Sequence, residues 1–299
     1  MNAKLIKQNT CIELDHIPYL TSTTQTTDRI LRIEALTDQM LRIHTMPSDP
    51  GKAAALPPSY AIENPPENTG YFSEVAGGLF QTRQLQLQIN SDGYLAIYKQ
   101  DGQILCADYS TPINDNINLS REELELMAQE GHVIPDLDAP CSYRVYKQLN
   151  GDEHFYGLGD KTGFLDKKGY DYIMWNSDNP DPHVENPTFR ALYKSIPFFI
   201  VLRQNMVYGI FVDNPHKSFF DMGYESTDYY SFSAAQGELD YYFIYAEDMT
   251  EIISAYTDLT GRPPLPQLWT LGYHQSRWSY GSADEVLALA KNFRKYRIP

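Results

Sequence analysis

The chain has 299 residues, with 24 Lys and Arg against 39 Asp and Glu, for a formal charge of −15. With no Lys/Arg cluster to neutralise phosphates, a nucleic-acid partner is not expected. No run of 18 apolar residues occurs, so no membrane-spanning helix is expected, and 42% hydrophobic residues suffice for a sizeable core.

The N-terminus, "MNAKLIKQNTCIELDH", lacks the apolar stretch of a secretory leader. Cys11, Cys106 and Cys141 are odd in number and far apart. They suggest neither a disulfide framework nor a metal knuckle, and together these signs favour the cytoplasm. Residues 28–46 read as two short strands with a turn near Thr37-Asp38. The Pro/Gly-rich stretch 47–70 reads as a long connection. In 85–108, Leu85, Leu87 and Ile89 alternate with Gln86 and Gln88, and turn signals at Ser91-Asp92-Gly93 and Asp101-Gly102 split three strands of an antiparallel meander. Ser120 with Glu123 predicts a short capped helix through Met127.

Strand character resumes in "YRVYKQL", in "SIPFFIVLRQNMVYGIFVDN", a hairpin turning at Gln204-Asn205, and in "LDYYFIYA". Many one-sided strands between 28 and 246 predict a two-sheet sandwich. Two stretches interrupt this pattern. "FYGLGDKTG", 155–163, misses the dinucleotide spacing and has no apolar helix after it, so it reads as a tight turn. "IMWNSDNPDPHVENP", 173–187, shows no periodicity and reads as a loop holding Trp175 and Asp178.

After 246 the pattern changes. Asp248 and Glu251 cap a helix carrying Ile252, Ile253, Tyr256 and Leu259, and "GRPPLP" stops it. "QLWTLGYHQ" reads as a strand. Ser282 then caps an amphipathic helix with Glu285 at its third position and Val286, Leu289, Phe293 and Tyr296 on one face. One strand and one helix cannot bury both faces of the strand, so the chain reads as entering a β/α domain. The expected organisation is a β-sandwich over 1–246, a helical linker over 247–265, and the start of a (β/α)8 barrel over 266–299, truncated after its first βα unit.

The histidines do not gather into metal spacing, and no G-x-S-x-G nucleophile turn is present. Carboxylates are plentiful, and cleaving a glycoside needs two of them held about 5–10 Å apart across a sugar. Spacing alone does not pick the pair. Asp178 stands out, because a carboxylate beside a tryptophan grips sugar hydroxyls and C–H faces together. Arg277 and Trp278 sit at the C-terminal end of the expected barrel strand, the end that carries active sites in such barrels.

Several stretches in order, "FYGLGDKTGFLDKKGYDYIMWNSDNP", "LYKSIPFFI", "YGIFVDNP" and "LPQLWTLGYHQSRWSYGS", resemble the N-terminal part of glycoside hydrolase family 31, the alpha-glucosidase family. The resemblance implies a mostly β fold: a galactose-mutarotase-like N-terminal β-sandwich followed by the first βα unit of a catalytic (β/α)8 barrel. It implies retaining hydrolysis of a terminal alpha-glucosidic bond without metal or organic cofactor. The family's nucleophile and acid/base aspartates come later in the barrel, so no catalytic residue is expected in this chain, which would be inactive alone. By position, Asp178 matches a sandwich-loop aspartate that contacts the nonreducing-end sugar, and Trp278, with Arg277 beside it, matches a pocket-lining aromatic. Many relatives carry tyrosine in place of Trp278 and glutamate in place of Asp160. The implied partner is an oligosaccharide or small alpha-glycoside, with homo-oligomerisation left open. A stand-alone carbohydrate-binding or structural module, a mutarotase-type epimerase, and alpha-xylosidase-type specificity remain as alternatives.

Overall fold

The computed structural model describes residues 3–6, 9–20, 28–49, 51–52, 58–64, 69–110, 141–177 and 190–298. The expected helix from Ser120 to Met127 lies outside these residues, as does most of the 173–187 loop. The chain divides into two units, Met1–Thr260 and Gly261–Pro299.

The first unit is a β-sandwich. Its large sheet has the strand order β1(Ala3–Ile6), β2(Cys11–Leu14), β3(Arg29–Ala35), β4(Met40–Pro47), β17(Asp240–Ala246), β14(Met206–Val212), β13(Ser195–Arg203), β11(Glu153–Gly159). A second sheet orders β10(Tyr143–Gln148), β16(Tyr229–Ala234), β15(Ser218–Asp221), β12(Asp171–Met174). A third is a meander of β5(Ser73–Ala76), β6(Leu79–Gln81), β7(Leu85–Ile89), β8(Leu95–Lys99) and β9(Ile104–Ala107). An antiparallel bridge between Asp108 and Lys147 joins the second sheet to the third.

Central strands of the large sheet read as unbroken apolar runs because both faces are covered. Phe199, Val201, Tyr208, Ile210, Tyr241 and Phe243 enter the main core with residues of the other two sheets. Their neighbours Phe198, Ile200, Val207, Phe211, Tyr242 and Ile244 point the other way, into a second cluster. The helix α1(Met249–Thr260) closes that second face with Ile252 and Leu259, a burial of about 2 kcal/mol per side chain. Residues 249–260, read from sequence as part of a linker, therefore pack on the sandwich. Gly209 permits the approach: a Cβ there would lie 2.8 Å from Ile252 Cγ2. Phe198 stacks flat on Tyr256 at 3.9 Å.

The turn near Thr37-Asp38, the 85–107 meander and the hairpin at Gln204-Asn205 form as the sequence indicates. Ile173 and Met174, expected in a loop, instead end strand β12. Their pairing with Phe219 and Ser218 supplies hydrogen bonds that no local pattern announces.

The second unit contains a 3-10 turn, η1(Leu268–Leu271), and helix α2(Ala283–Lys295). Here the expected strand over 268–273 is corrected. A strand needs a neighbour for its backbone groups, and no second strand exists among the described residues of this unit. The segment bonds locally instead, Thr270 N–H to Gln267 O and Gly272 N–H to Trp269 O. The cap of α2 is as expected: Ser282 Oγ accepts from Glu285 N–H, and the Glu285 carboxylate accepts from Gly281 N–H. Tyr273 stacks on Phe293 at 5.6 Å.

Candidate functional site

Asp178 belongs to residues 178–189, outside the described part of the chain. The two legs on either side of them are described. The outgoing leg leaves β12 through Trp175 and Asn176, and the return leg runs from Arg190 to β13. Ile173 N–H donates to Arg190 O at 2.8 Å. The Arg190 guanidinium pairs with the Asp171 carboxylate, both side chains largely buried. Asn176 Oδ1 accepts from Ser195 N–H at 3.2 Å. Trp175 and Tyr193, one on each leg, are each more than half exposed.

The stretch 155–163, expected as a tight turn, instead begins as strand: Phe155–Gly159 end β11 with a register shift between Gly157 and Gly159, the turn follows, and this end of β11 braces the return leg. Gly159 has φ +78°, and a Cβ there would lie 1.9 Å from Lys194 O. Only glycine fits both conditions. Asp160 pairs with Lys194 Nζ at 3.2 Å. Lys167 folds beneath the same turn and donates to the carbonyls of Phe164, Thr162 and Lys161 at 2.7, 3.1 and 3.4 Å. Burial pushes the Lys161 amine down to about 8, with Asp160 opposing it. Strand β12 carries Asp171 directly opposite Asp221 of β15. Asp221 accepts from the N–H groups of Gly223, Tyr224 and Glu225, yet burial pushes its carboxyl up to about 6. Burial also raises Asp171, against the pull of Arg190.

Asp166, at the far end of the turn, behaves oppositely. Burial alone would raise its carboxyl, but hydrogen bonds from His154 (Nδ1 to Oδ2, 2.6 Å) and from the N–H groups of Phe155 and Lys168 hold it below the usual carboxylate value. A depressed folded-state pKa stabilises the fold above the unfolded value and loses that contribution as pH falls through the folded value. Asp166→Asn should therefore lower the urea midpoint at pH 7, with the deficit fading as pH falls through the depressed folded-state value of Asp166. A deficit that does not change with pH would remove the charge from the explanation.

Arg277 and Trp278 lie in the second unit, between η1 and α2. Trp278 is fully exposed. Arg277 sits 5.5 Å over the Tyr280 ring and 3.6 Å from Glu285 Oε1. In the sequence Asp171 is one of many carboxylates, and nothing there joins it to Arg190. Their pairing depends on a return of the chain that no spacing rule reports.

Inside the sandwich the polar groups are closed off. Lys147 Nζ meets Asp108 Oδ1 at 2.6 Å and donates to Tyr241 OH at 3.1 Å, while Tyr19 OH donates to Asp108 Oδ2 at 2.5 Å. Among the described residues no histidine joins this group, as an epimerase would need. A histidine–glutamate pair does exist on the face of β3 and β4 away from the main core, His44 Nε2 to Glu34 Oε2 at 3.3 Å. There Glu34 is also held by Arg42 at 3.7 Å and Cys11 Sγ at 3.6 Å, and both side chains are nearly covered. Among the described residues no group of three His, Cys, Asp or Glu is placed to hold a metal ion.

Two family models match in order along the chain. One, "Glycosyl hydrolase 31 N-terminal galactose mutarotase-like domain", covers residues 30–221. The other, "Glycosyl hydrolases family 31 TIM-barrel domain", covers residues 263–299. The chain belongs to glycoside hydrolase family 31. The barrel match begins just past Thr260, where the first unit ends. Among family 31 relatives, alpha-glucosidase 2 of Bacillus thermoamyloliquefaciens is 47% identical over 154 residues, covering 52% of this chain and 19% of that protein. An alpha-glucosidase of Saccharolobus solfataricus is 33% identical over 184 residues, 61% of this chain and 24% of that protein. A solved family 31 dextranase of Flavobacterium johnsoniae, complexed with glucose, superposes with TM-score 0.70 at 32% identity over 91% of this chain and 30% of that one. The chain thus spans about a fifth to a quarter of these curated relatives.

Proposed function

We propose that this chain is the sandwich and barrel entry of a retaining alpha-glycosidase that hydrolyses terminal nonreducing alpha-glucosyl residues. The observation that carries this reading is the ordered pair of family matches, 30–221 and 263–299, on one polypeptide. The choice of glucose rests on the 47% identity to alpha-glucosidase 2, against 33% for an alpha-xylosidase of Lactiplantibacillus pentosus. In the proposed reaction a barrel carboxylate attacks C1, a second carboxyl protonates the leaving oxygen, and water releases the covalent intermediate. Both groups belong to the barrel beyond residue 299. The proposed contribution of this chain is sugar contact, with Asp178 accepting hydroxyl hydrogen bonds and Arg277 and Trp278 also contacting the substrate. The three cysteines, all free and buried, support our placing the protein in the cytoplasm.

The full polypeptide should release glucose from maltose and isomaltose with retention at C1, followed by proton NMR of the nascent anomer. Inversion, or faster cleavage of an alpha-xyloside, would overturn the reading. Asp178→Ala in that polypeptide should lower kcat/KM by about tenfold or more with the melting temperature unchanged. Unchanged kinetics would take Asp178 out of the site.

A second reading, a carbohydrate-binding module, is favoured by a groove of about 600 Å³ between α1 and the large sheet, within the range of ligand pockets. Gln39, Asn64, Glu251 and Asp258 rim it above Met40 and Ile244. Glycan binding by residues 1–260 alone, lost in Asn64→Ala, would support that module.

A further inference from the structure

The geometry points to Arg190 and Asp171 as positioning residues for the substrate: their ion pair locks together the chain legs at 171–176 and 190–195 and so sets where Trp175 and Asn176 stand toward the sugar. This rests on the reading that the same stretch of the sandwich contacts substrate.

Three observations support it. First, Arg190 grips β12 twice. Its carbonyl accepts from Ile173 N–H at 2.8 Å, and its guanidinium pairs with Asp171, one β12 position on either side of Tyr172. The side chains are only 16% and 12% exposed, so the pair escapes the solvent screening that makes surface pairs weak. Among the described residues Arg190 Nε is buried without a hydrogen-bond partner, and Asp171 is the carboxylate that pairs with the guanidinium.

Second, the competing carboxylate is committed elsewhere. Asp221 stands opposite Asp171 in register, with Glu225 near both. Both oxygens of Asp221 accept N–H groups of its own turn, Oδ1 from Gly223 and Tyr224, Oδ2 from Glu225. Arg190 is thereby directed to Asp171 and to one leg spacing.

Third, β12 is a four-residue strand at the margin of its sheet, paired on one side only, with β15. Short edge pieces are weakly held by the ladder alone. The further pins, Asn176 to Ser195 and Lys194 O against Gly159, lie at the far end of the legs. Without the ion pair the described hydrogen bonds between the legs are Ile173 N–H to Arg190 O and Ser195 N–H to Asn176 Oδ1, one on either side of Trp175. Substrate would then have to order the legs as it binds, which raises KM and leaves the chemical step alone.

The test uses the full polypeptide with Arg190→Gln, Asp171→Asn and the double variant. The expected result is a KM for maltose raised about fivefold or more with kcat within about twofold, and a double variant no worse than either single, because the two act as one unit. Amide exchange read by mass spectrometry should speed up in 171–176 and 190–195 and stay unchanged in β14 and β17. Arg190→Lys, which keeps the charge without the planar fork, should fall between wild type and Arg190→Gln, and serves if the other variants fold poorly. A lower melting temperature with unchanged KM would overturn the proposal, as would unchanged exchange in the legs. If Asp178→Ala has no kinetic effect while Arg190→Gln raises KM, the sugar contact assigned to Asp178 fails and the positioning role stands, acting through Trp175.

Discussion

Gly159→Ala should cost the sandwich roughly 3 kcal/mol or more of unfolding free energy. Two separate penalties combine there. An alanine at φ +78° is strained, by about 1 kcal/mol, and its Cβ would sit 1.9 Å from Lys194 O, a backbone atom that cannot rotate away. Gly169 provides the control. It has φ +77° with nothing within 4 Å of an added Cβ, so Gly169→Ala should show the strain alone. Urea unfolding of the three proteins gives the comparison directly. Equal losses at the two glycines would mean that the return leg simply moves aside. The excess at Gly159, if found, measures how firmly the turn "GLGD" holds the chain entering β13.

Lys147→Met should be the other severe substitution, costing roughly 3–5 kcal/mol. Lys147 and Asp108 have side chains 2% and 1% exposed. Burial, the largest single effect, would lower the Lys147 ammonium, but Asp108 together with Tyr241 and Cys106 outweighs it and holds the group well above its ordinary value. Taking away the cation leaves the Asp108 carboxylate facing Tyr19 OH and Leu95 N–H without a counter-charge. Adding Asp108→Asn keeps an acceptor for those two donors and removes the stranded charge. The double variant should therefore recover more than half of the loss, as measured by thermal unfolding at pH 7. A double variant as unstable as the single would show that geometry, and not charge, is what the pair supplies.

The strands legible in the sequence are those whose own side chains announce a buried face. Leu85, Leu87 and Ile89 do so, and so do the hydrophobic runs of β13 and β14 around the Gln204 turn. Short strands such as β2, β5, β6, β12 and β15 carry no such announcement, because four residues or fewer complete barely one alternation and their pairing comes from partners far along the chain. Leu268 to Leu271 shows the converse: a sequence that suits a strand takes a 3-10 turn where no strand among the described residues pairs with it. The same limit applies to the site. Asp178, beside Trp175, and Arg277 and Trp278 could be marked from composition and from a family resemblance, and Asp178 lies outside the described residues. The anchoring pairs, Arg190 with Asp171 and Lys147 with Asp108, join residues separated by a chain excursion, and no motif spacing encodes that closure.

Strand β4 pairs with β17, Met40 through His44 against Ile244 through Asp240. Some two hundred residues must therefore leave the ribosome before the first four strands of the large sheet acquire their neighbour, and contacts of such long range fold slowly. Until then Met40, Leu41 and Ile43 form an open, sticky margin on a nascent polypeptide. A pause or premature stop before Asp240 should divert the nascent chain to chaperones or aggregates, whereas one just after Thr260 should release a sandwich able to close.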